Sequence, residues 1–163
     1  MGNSVYGLLS LWQCKRKALM QMHEHDEKLH VLIAGDSRDY PAIRTLVQQL
    51  PQDGYGQIFI EVAVERQVQD FAHPSGMTLH WLVAERNFQR QNHPAFRGMM
   101  LCSAISGWFS EWLIKDFDHE GKFVVWIGGA LNPRVAILCD DLSREYGQQI
   151  LQSNYPYPVH REK

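Results

Sequence analysis

Four short apolar runs constrain the fold of this chain most strongly. They are His30–Gly35, Gln57–Val64, Thr78–Ala84 and Lys122–Gly128. Each run is nearly continuous in apolar residues and does not alternate cleanly between apolar and polar ones. This pattern is typical of strands that are covered on both faces, as in a parallel sheet.

Three other segments have helical periodicity. They are Pro41–Leu50, Pro94–Lys115 and Pro133–Tyr146. Their apolar residues recur at spacings of three and four, which predicts one buried face on each helix. The segment Glu65–Met77 lacks such a pattern and predicts a short helical turn with a loop. Together the runs predict an α/β fold with a mostly parallel sheet flanked by helices.

Size and charge narrow the function classes. The chain has 163 residues, 45% of them hydrophobic and 21% charged, which fits one globular domain with a substantial core. Its formal net charge of -2 gives no basic footprint for nucleic acid. No apolar run is long enough to span a membrane. We therefore expect a soluble protein without a nucleic-acid or membrane partner.

The first 28 residues differ from the rest. Helical spacing from Val5 to Gln21, followed by a charged stretch, predicts an N-terminal helix and a connector over residues 1–28. The apolar piece Val5–Trp12 precedes the basic Lys15–Lys17, which is the wrong order for a secretory signal. A cytoplasmic location is expected. The apolar face of Val5–Trp12 also suggests a partner or a second copy, so a homo-oligomer stays open.

Cysteines, histidines and tryptophans give no catalytic motif. The odd, widely spaced set of three cysteines does not predict a disulfide framework, and Cys102 and Cys139 are expected to be buried thiols. The cluster His23–Asp26 lacks a complete ligand set, so no metal site is predicted. Trp108 and Trp112 share one helical face, which favours core packing. The catalytic residues stay unknown.

The turn after the first strand is the sharpest local signal. Gly35 ends the strand, and the N–H groups of the following helix N-terminus attract anions. A nucleotide phosphate commonly binds at such a turn. The turn has only one glycine, and no phosphate-binding lysine follows it. Ordinary helix capping by Ser37 or Asp39 is the alternative interpretation.

A second glycine turn and a group of arginines follow later strands. Gly128 and Gly129 end the fourth run and open a helix, so the two turns could form a crevice; close packing alone is the alternative. Arg86, Arg90 and Arg97 follow the third run, at the functional edge of such a sheet. They could meet an anionic ligand, or belong to a solvated loop.

Residues 29 to 157 resemble the C-terminal domain of the siderophore-interacting protein family, which are NAD(P)H-dependent ferric-siderophore reductases related to ferredoxin reductases. The family pattern A-G-D-E-T-A-L-P-A-I is similar to Ala34–Ile43. The pattern W-L followed by arginine is similar to Trp81–Arg86, and Y-V-W-x-x-G-E is similar to Val124–Ala130. Ala130 departs from the last pattern, which has an acidic residue there.

The resemblance implies a ferredoxin-reductase-like nicotinamide-binding domain over residues 29–163. Its cofactor would be NAD(P)H, whose C4 hydride faces a flavin. The implied cofactor-binding residues are Gly35, Asp36 and Ser37 in the first turn, Gly128 and Gly129 in the second, and Glu65 as a ribose contact. Arg86, Arg90 and Arg97 would meet the ferric siderophore.

The family's R-x-Y-T flavin motif does not occur in this sequence. We therefore expect FAD to come only through a partner or as free flavin. Three hypotheses stay open. The chain is a ferric-siderophore reductase component in iron uptake, a binding or interaction module that kept the fold without catalysis, or an unrelated α/β domain.

Overall fold

The computed structural model describes residues 30–87, 96–112, 123–129, 131–146 and 150–152. The predicted N-terminal helix and connector, Arg90 and Ala130 lie outside these ranges. All the statements below concern the described part of the chain.

A five-stranded sheet forms the centre of the fold. Its strands are β1 (His30–Asp36), β2 (Tyr55–Val62), β3 (Gly76–Val83), β4 (Phe123–Ile127) and β5 (Ile150–Gln152). The spatial order is β3-β2-β1-β4-β5, and every pairing is parallel. The predicted parallel α/β fold is therefore confirmed. The short edge strand β5 was not predicted.

Four helices accompany the sheet: α1 (Tyr40–Gln48), α2 (Ala84–Asn87), α3 (Met99–Trp112) and α4 (Pro133–Tyr146). A 3-10 turn, Glu65–Gln67, lies in the link between β2 and β3, as the absence of periodicity there predicted. The one-turn helix α2 was not predicted.

Two apolar clusters cover the two faces of the sheet. On one face, α1 contributes Ile43, Leu46 and Val47, which pack with Val31 and Ile33 of β1. On the other face, α3 and α4 pack against the remaining strand residues. This second cluster contains Leu32, Ala34, Leu101, Ile105, Trp108, Val125, Val135 and Cys139. Burial of both faces explains why the strand sequences are continuously apolar.

The predicted buried tryptophan and cysteine positions are mostly confirmed. Trp108 is 2% exposed, and Trp112 is half-buried against the same cluster. Cys139 is buried and Cys102 is half-buried, and both are free thiols. Burial raises the pKa of Cys139 to about 12, so its thiol stays protonated at neutral pH.

The predicted bounds of β2 and of the helix Pro94–Lys115 differ clearly from the observed ones. Strand β2 starts and ends two residues earlier than expected. Beyond Val62 the N–H groups of Ala63 and Val64 donate to Gln67 Oε1, at 2.9 and 3.2 Å, and so leave the ladder. The predicted helix Pro94–Lys115 begins only at Met99, because Gly98 has a φ of 82°, which a right-handed helix does not tolerate.

Candidate functional site

The strand order changes direction at β1. The chain moves outward from β1 to β2 and β3 on one side, and then crosses to β4 and β5 on the other. Because all strands are parallel, their carboxyl ends meet at one edge of the sheet. In open α/β sheets, ligands bind outside this edge at the point where the order reverses. Here that point lies between the carboxyl ends of β1 and β4.

The first turn connects β1 to α1. Gly35 is buried, Asp36 is half-buried, and Ser37 is exposed. The Asp36 carboxylate accepts hydrogen bonds from Arg38, with Nε at 3.1 and 3.2 Å from its two oxygens. The backbone N–H of Arg38 donates to Asp36 Oδ1 at 2.8 Å. The turn therefore presents a guanidinium and a carboxylate already paired with each other.

The second turn follows β4 and lies directly against the first. The backbone N–H of Gly128 donates to the carbonyl oxygen of Ala34 at 2.7 Å. Gly129 has a φ of 73°, a conformation that favours glycine. The structure thus brings Gly35, Asp36, Gly128 and Gly129 together, as the two-turn crevice hypothesis requires.

Asp39 joins the two turns through its side chain. It is 4% exposed, and its Oδ2 accepts hydrogen bonds from the N–H of Asp36 at 2.9 Å and of Gly129 at 2.7 Å. Burial, and to a lesser degree the neighbouring Asp36 carboxylate, raise the pKa of Asp39, although these hydrogen bonds oppose the shift.

The glycines beside Asp39 have a packing explanation. A Cβ on Gly128 would lie 2.5 Å from Asp39 Cγ, and a Cβ on Gly35 would lie 2.9 Å from Asp39 Cβ. Close packing therefore accounts for both glycines without any ligand. The alternative interpretation, helix capping by Ser37 or Asp39, was wrong, since the N-cap residue is Asp39 and its side chain makes no capping hydrogen bond. The Oδ2 atom bonds the two turns instead.

A second buried carboxylate lies at the end of β2. Glu61 is 7% exposed, and its two oxygens accept hydrogen bonds from Gly98 N at 2.6 Å and Leu101 N at 2.8 Å. These donors belong to the start of α3. A carboxylate at a helix N-terminus is favoured by the aligned peptide dipoles. Glu61 therefore anchors α3 to the carboxyl edge of the sheet.

Asn132 connects the start of α4 to the start of α3. Its Oδ1 accepts a hydrogen bond from Arg134 N at 3.0 Å, as a helix cap does. A Cβ on Gly98 would lie only 2.5 Å from Asn132 Nδ2. The beginnings of α3 and α4 are thus closely packed beside the second turn.

Two of the three predicted substrate-binding arginines lie among the described residues, at the carboxyl edge of the sheet. Arg86 lies on α2, directly after β3, and Arg97 is exposed just before α3. Glu65, the expected ribose contact, is exposed at the start of the 3-10 turn, and its N–H donates to Glu85 Oε2 at 3.3 Å.

Metal and membrane features are not found in the described part of the chain. There, no group of three or more His, Cys, Asp or Glu side chains could hold a metal ion. Among the helices of that part, none has the length and apolar character needed to cross a bilayer.

A family model for siderophore-interacting proteins matches residues 28–133, which is more than half of the chain. The chain belongs to the siderophore-interacting protein family. The match covers both turns, β1 to β4, α1 to α3 and the first residue of α4.

Two kinds of relatives extend this assignment. Ferric vibriobactin reductase ViuB, from two strains of Vibrio cholerae serotype O1, is 34% identical over 56 residues, or 34% of this chain and 21% of the relative. A siderophore utilization protein from T. fusca has a similar fold, with a TM-score of 0.54 and 22% identity. That likeness covers 78% of this chain and 44% of the solved one. This siderophore-interacting protein therefore spans less than half the length of that structure.

Two important residues of this siderophore-interacting protein were missed as site residues. Glu61 lies inside a predicted buried strand, where its carboxylate reads as one polar residue in an apolar run. Asp39 was considered only as a helix cap, and the family pattern has alanine at its position. An acidic residue within or just after an apolar strand is a signal that marks both positions, because an acid that becomes buried there requires nearby donors, although it does not indicate which donors they are.

Proposed function

We propose that this siderophore-interacting protein acts in siderophore iron utilisation as an NAD(P)H-binding domain. It would hold the nicotinamide so that its hydride reaches a flavin carried by a partner or supplied free. One observation carries the proposal: the turns after β1 and β4 lie together at the point where the strand order reverses, joined by the 2.7 Å bond between Gly128 N and Ala34 O.

The residues at this crevice fit a nucleotide in part. Ser37 is exposed at the tip of the first turn and makes no hydrogen bond to another described residue, so its N–H and hydroxyl can serve a ligand. Arg38 is half exposed and offers positive charge beside it. Gly35 and Asp36 would line the nicotinamide side, Gly128 and Gly129 the opposite wall, and Glu65 would bind a ribose hydroxyl.

The chemistry assigned to the bound cofactor is hydride donation. A flavin is required between cofactor and iron, since a hydride carries two electrons and ferric iron accepts one. The protein's own role is to hold and orient the nicotinamide between the two turns. Arg86, Arg90 and Arg97 would attract an anionic ferric siderophore to the same edge of the sheet.

A second candidate function is a binding module without reductase activity. Several groups that a nucleotide could use are engaged internally: Asp36 pairs with Arg38, and the N–H groups of Asp36 and Gly129 donate to Asp39. Pro41, at the start of α1, has no N–H to offer. Because these groups already have hydrogen-bond partners within the protein, the two turns are complete without a cofactor, which favours the second candidate function.

Titration of the whole chain with NADH and NADPH tests the nicotinamide role that the first candidate requires. Saturable binding supports the nicotinamide role, whereas no binding at millimolar cofactor contradicts it. Ser37→Glu adds a negative charge at the crevice and should weaken binding by about tenfold, on the scale of one unfavourable charge contact. Ser106→Glu is the matched control, since Ser106 is exposed on α3, and it should bind like the unmodified protein.

Flavin content tests the other half of the proposal. The purified chain should be colourless and should reduce a ferric siderophore with NAD(P)H only after free flavin or a flavoprotein is added. A stoichiometric flavin spectrum in the purified chain would contradict the expectation that flavin comes from elsewhere. Cofactor binding without any flavin-dependent reduction would favour the binding module.

A further inference from the structure

We propose that Asp39 is a positioning residue, whose carboxylate holds the two turns of the crevice at the spacing that a nucleotide needs. The inference rests on the proposed nucleotide-binding role. Asp39 would touch neither cofactor nor substrate, because it is 4% exposed behind the turns. Its effect would pass through the two backbone N–H groups that it binds.

The hydrogen-bond pattern makes Asp39 a bridge between separate parts of the chain. The donor Asp36 N is three residues away, whereas the donor Gly129 N is ninety residues away. Both bonds end on the same oxygen, Oδ2. A single side-chain atom therefore bonds both the end of β1 and the loop after β4, in addition to the backbone bond from Gly128 N to Ala34 O.

The glycines restrict the bridge further. Any side chain on Gly128 would overlap the Asp39 carboxylate, and one on Gly35 would press on the same residue. The three residues Gly35, Asp39 and Gly128 therefore form one packed unit. Gly129, with its φ of 73°, then aims its N–H at Asp39. A shift of Asp39 would move the wall that Gly128 and Gly129 form.

The described charged groups that act on Asp39 lie on the first turn. They are Asp36, which disfavours its ionisation, and Arg38, which favours it. On the β4 side, the described contacts come from the backbone of Gly128 and Gly129. Ionised carboxylates accept stronger hydrogen bonds than neutral acids do. Titration of Asp39 should consequently change the bond to Gly129.

Two variants separate positioning from simple structural support. Asp39→Ala removes the acceptor and should weaken NADH binding by about tenfold, the equivalent of one hydrogen bond. Asp39→Asn keeps a neutral oxygen that can occupy the Oδ2 position and should restore most of the affinity. Asp140 is an exposed aspartate on α4. Asp140→Ala is therefore the control, and it should bind NADH as the unmodified protein does.

Amide hydrogen exchange supplies a readout that does not depend on the ligand. Protection of Gly129 N–H, relative to Val125 N–H in β4, should fall about tenfold in Asp39→Ala. In the unmodified protein it should also change with pH as Asp39 titrates, whereas in Asp39→Asn it should not change with pH. This comparison remains valid if Asp39→Ala fails to fold, because it uses only Asp39→Asn and the unmodified chain.

The outcomes distinguish this inference from the proposed function. If the unmodified chain binds neither NADH nor NADPH, the proposed function fails and the positioning role fails with it. If the unmodified chain binds and folded Asp39→Ala binds equally well, only the positioning role is overturned. Equal pH dependence of Gly129 protection in the unmodified chain and Asp39→Asn would also overturn it.

Discussion

Asp39 and Glu61 are both buried acids at the carboxyl edge of the sheet, and each accepts two backbone hydrogen bonds. Glu61 uses both oxygens, one for Gly98 and one for Leu101, so it fixes the first turn of a single helix. Asp39 uses one oxygen for two donors that belong to different turns. The comparison shows that one carboxylate anchors an element, whereas the other sets the distance between two loops.

Removal of the Glu61 carboxylate should have the largest effect on stability. Glu61→Ala leaves two buried N–H groups without an acceptor and removes a charge from the start of α3. We expect the free energy of unfolding to fall by about 3 kcal/mol. Chemical denaturation measures the change. Glu111 is exposed at the end of α3, so the control variant Glu111→Ala should alter the free energy of unfolding by less than about 0.5 kcal/mol.

Amide substitution should separate the two acids. Glu61→Gln turns an NH2 group toward one of two donors, so it should cost about 2 kcal/mol of unfolding free energy. Asp39→Asn can keep its oxygen on both donors and should change stability by less than about 0.5 kcal/mol. Equal losses of unfolding free energy in the two variants would contradict this difference, in which Glu61 uses both oxygens and Asp39 uses one.

Gly98 links the Glu61 anchor to Asn132, so its replacement should have an intermediate effect. Gly98→Ala meets a φ of 82° and a Cβ position 2.5 Å from Asn132 Nδ2. We expect a loss of about 1–2 kcal/mol in thermal or chemical unfolding. Gly107→Ala, inside α3 with open space around its Cβ, should instead gain up to about 1 kcal/mol. A loss of stability in Gly107→Ala would contradict the open space that surrounds this position in α3.

The pH dependence of stability should be the smallest effect. The pKa of Asp39 in the folded protein is raised above its usual value of about 3.9, so the folded state prefers the neutral acid. Its stability contribution is therefore fully present below about pH 3.9 and is lost as the pH rises through the raised pKa. Relative to Asp39→Asn, the unmodified protein should lose stability across this window. A constant difference at all pH values would contradict the shift.

Local sequence patterns predicted the elements better than the contacts between them. Helix α4 has the predicted bounds Pro133–Tyr146, because its apolar periodicity and the proline at its start are local features. The start of α3 was misplaced, because it depends on Glu61, which is 37 residues earlier in the chain than Gly98. No local pattern carries that information.

The same limit applies to the crevice. The glycine turns were predicted from single strand ends, and the structure places them side by side. The role of Asp39 was not predicted, since its bond to Gly129 spans ninety residues. The glycines also proved ambiguous as ligand signals, because Gly35 and Gly128 are required by the packing of Asp39 itself. Gly35→Val would consequently perturb packing as well as any cofactor contact.

Amide chemical-shift mapping during a titration of the whole chain with NADH tests the central claim most directly. The account predicts saturable shifts at Ser37, Gly128 and Gly129, with much smaller changes at Gly98 and Leu101, whose N–H groups are held by Glu61. Shifts confined to the Glu61 anchor, or no shifts at millimolar NADH, would contradict a nucleotide crevice between the two turns.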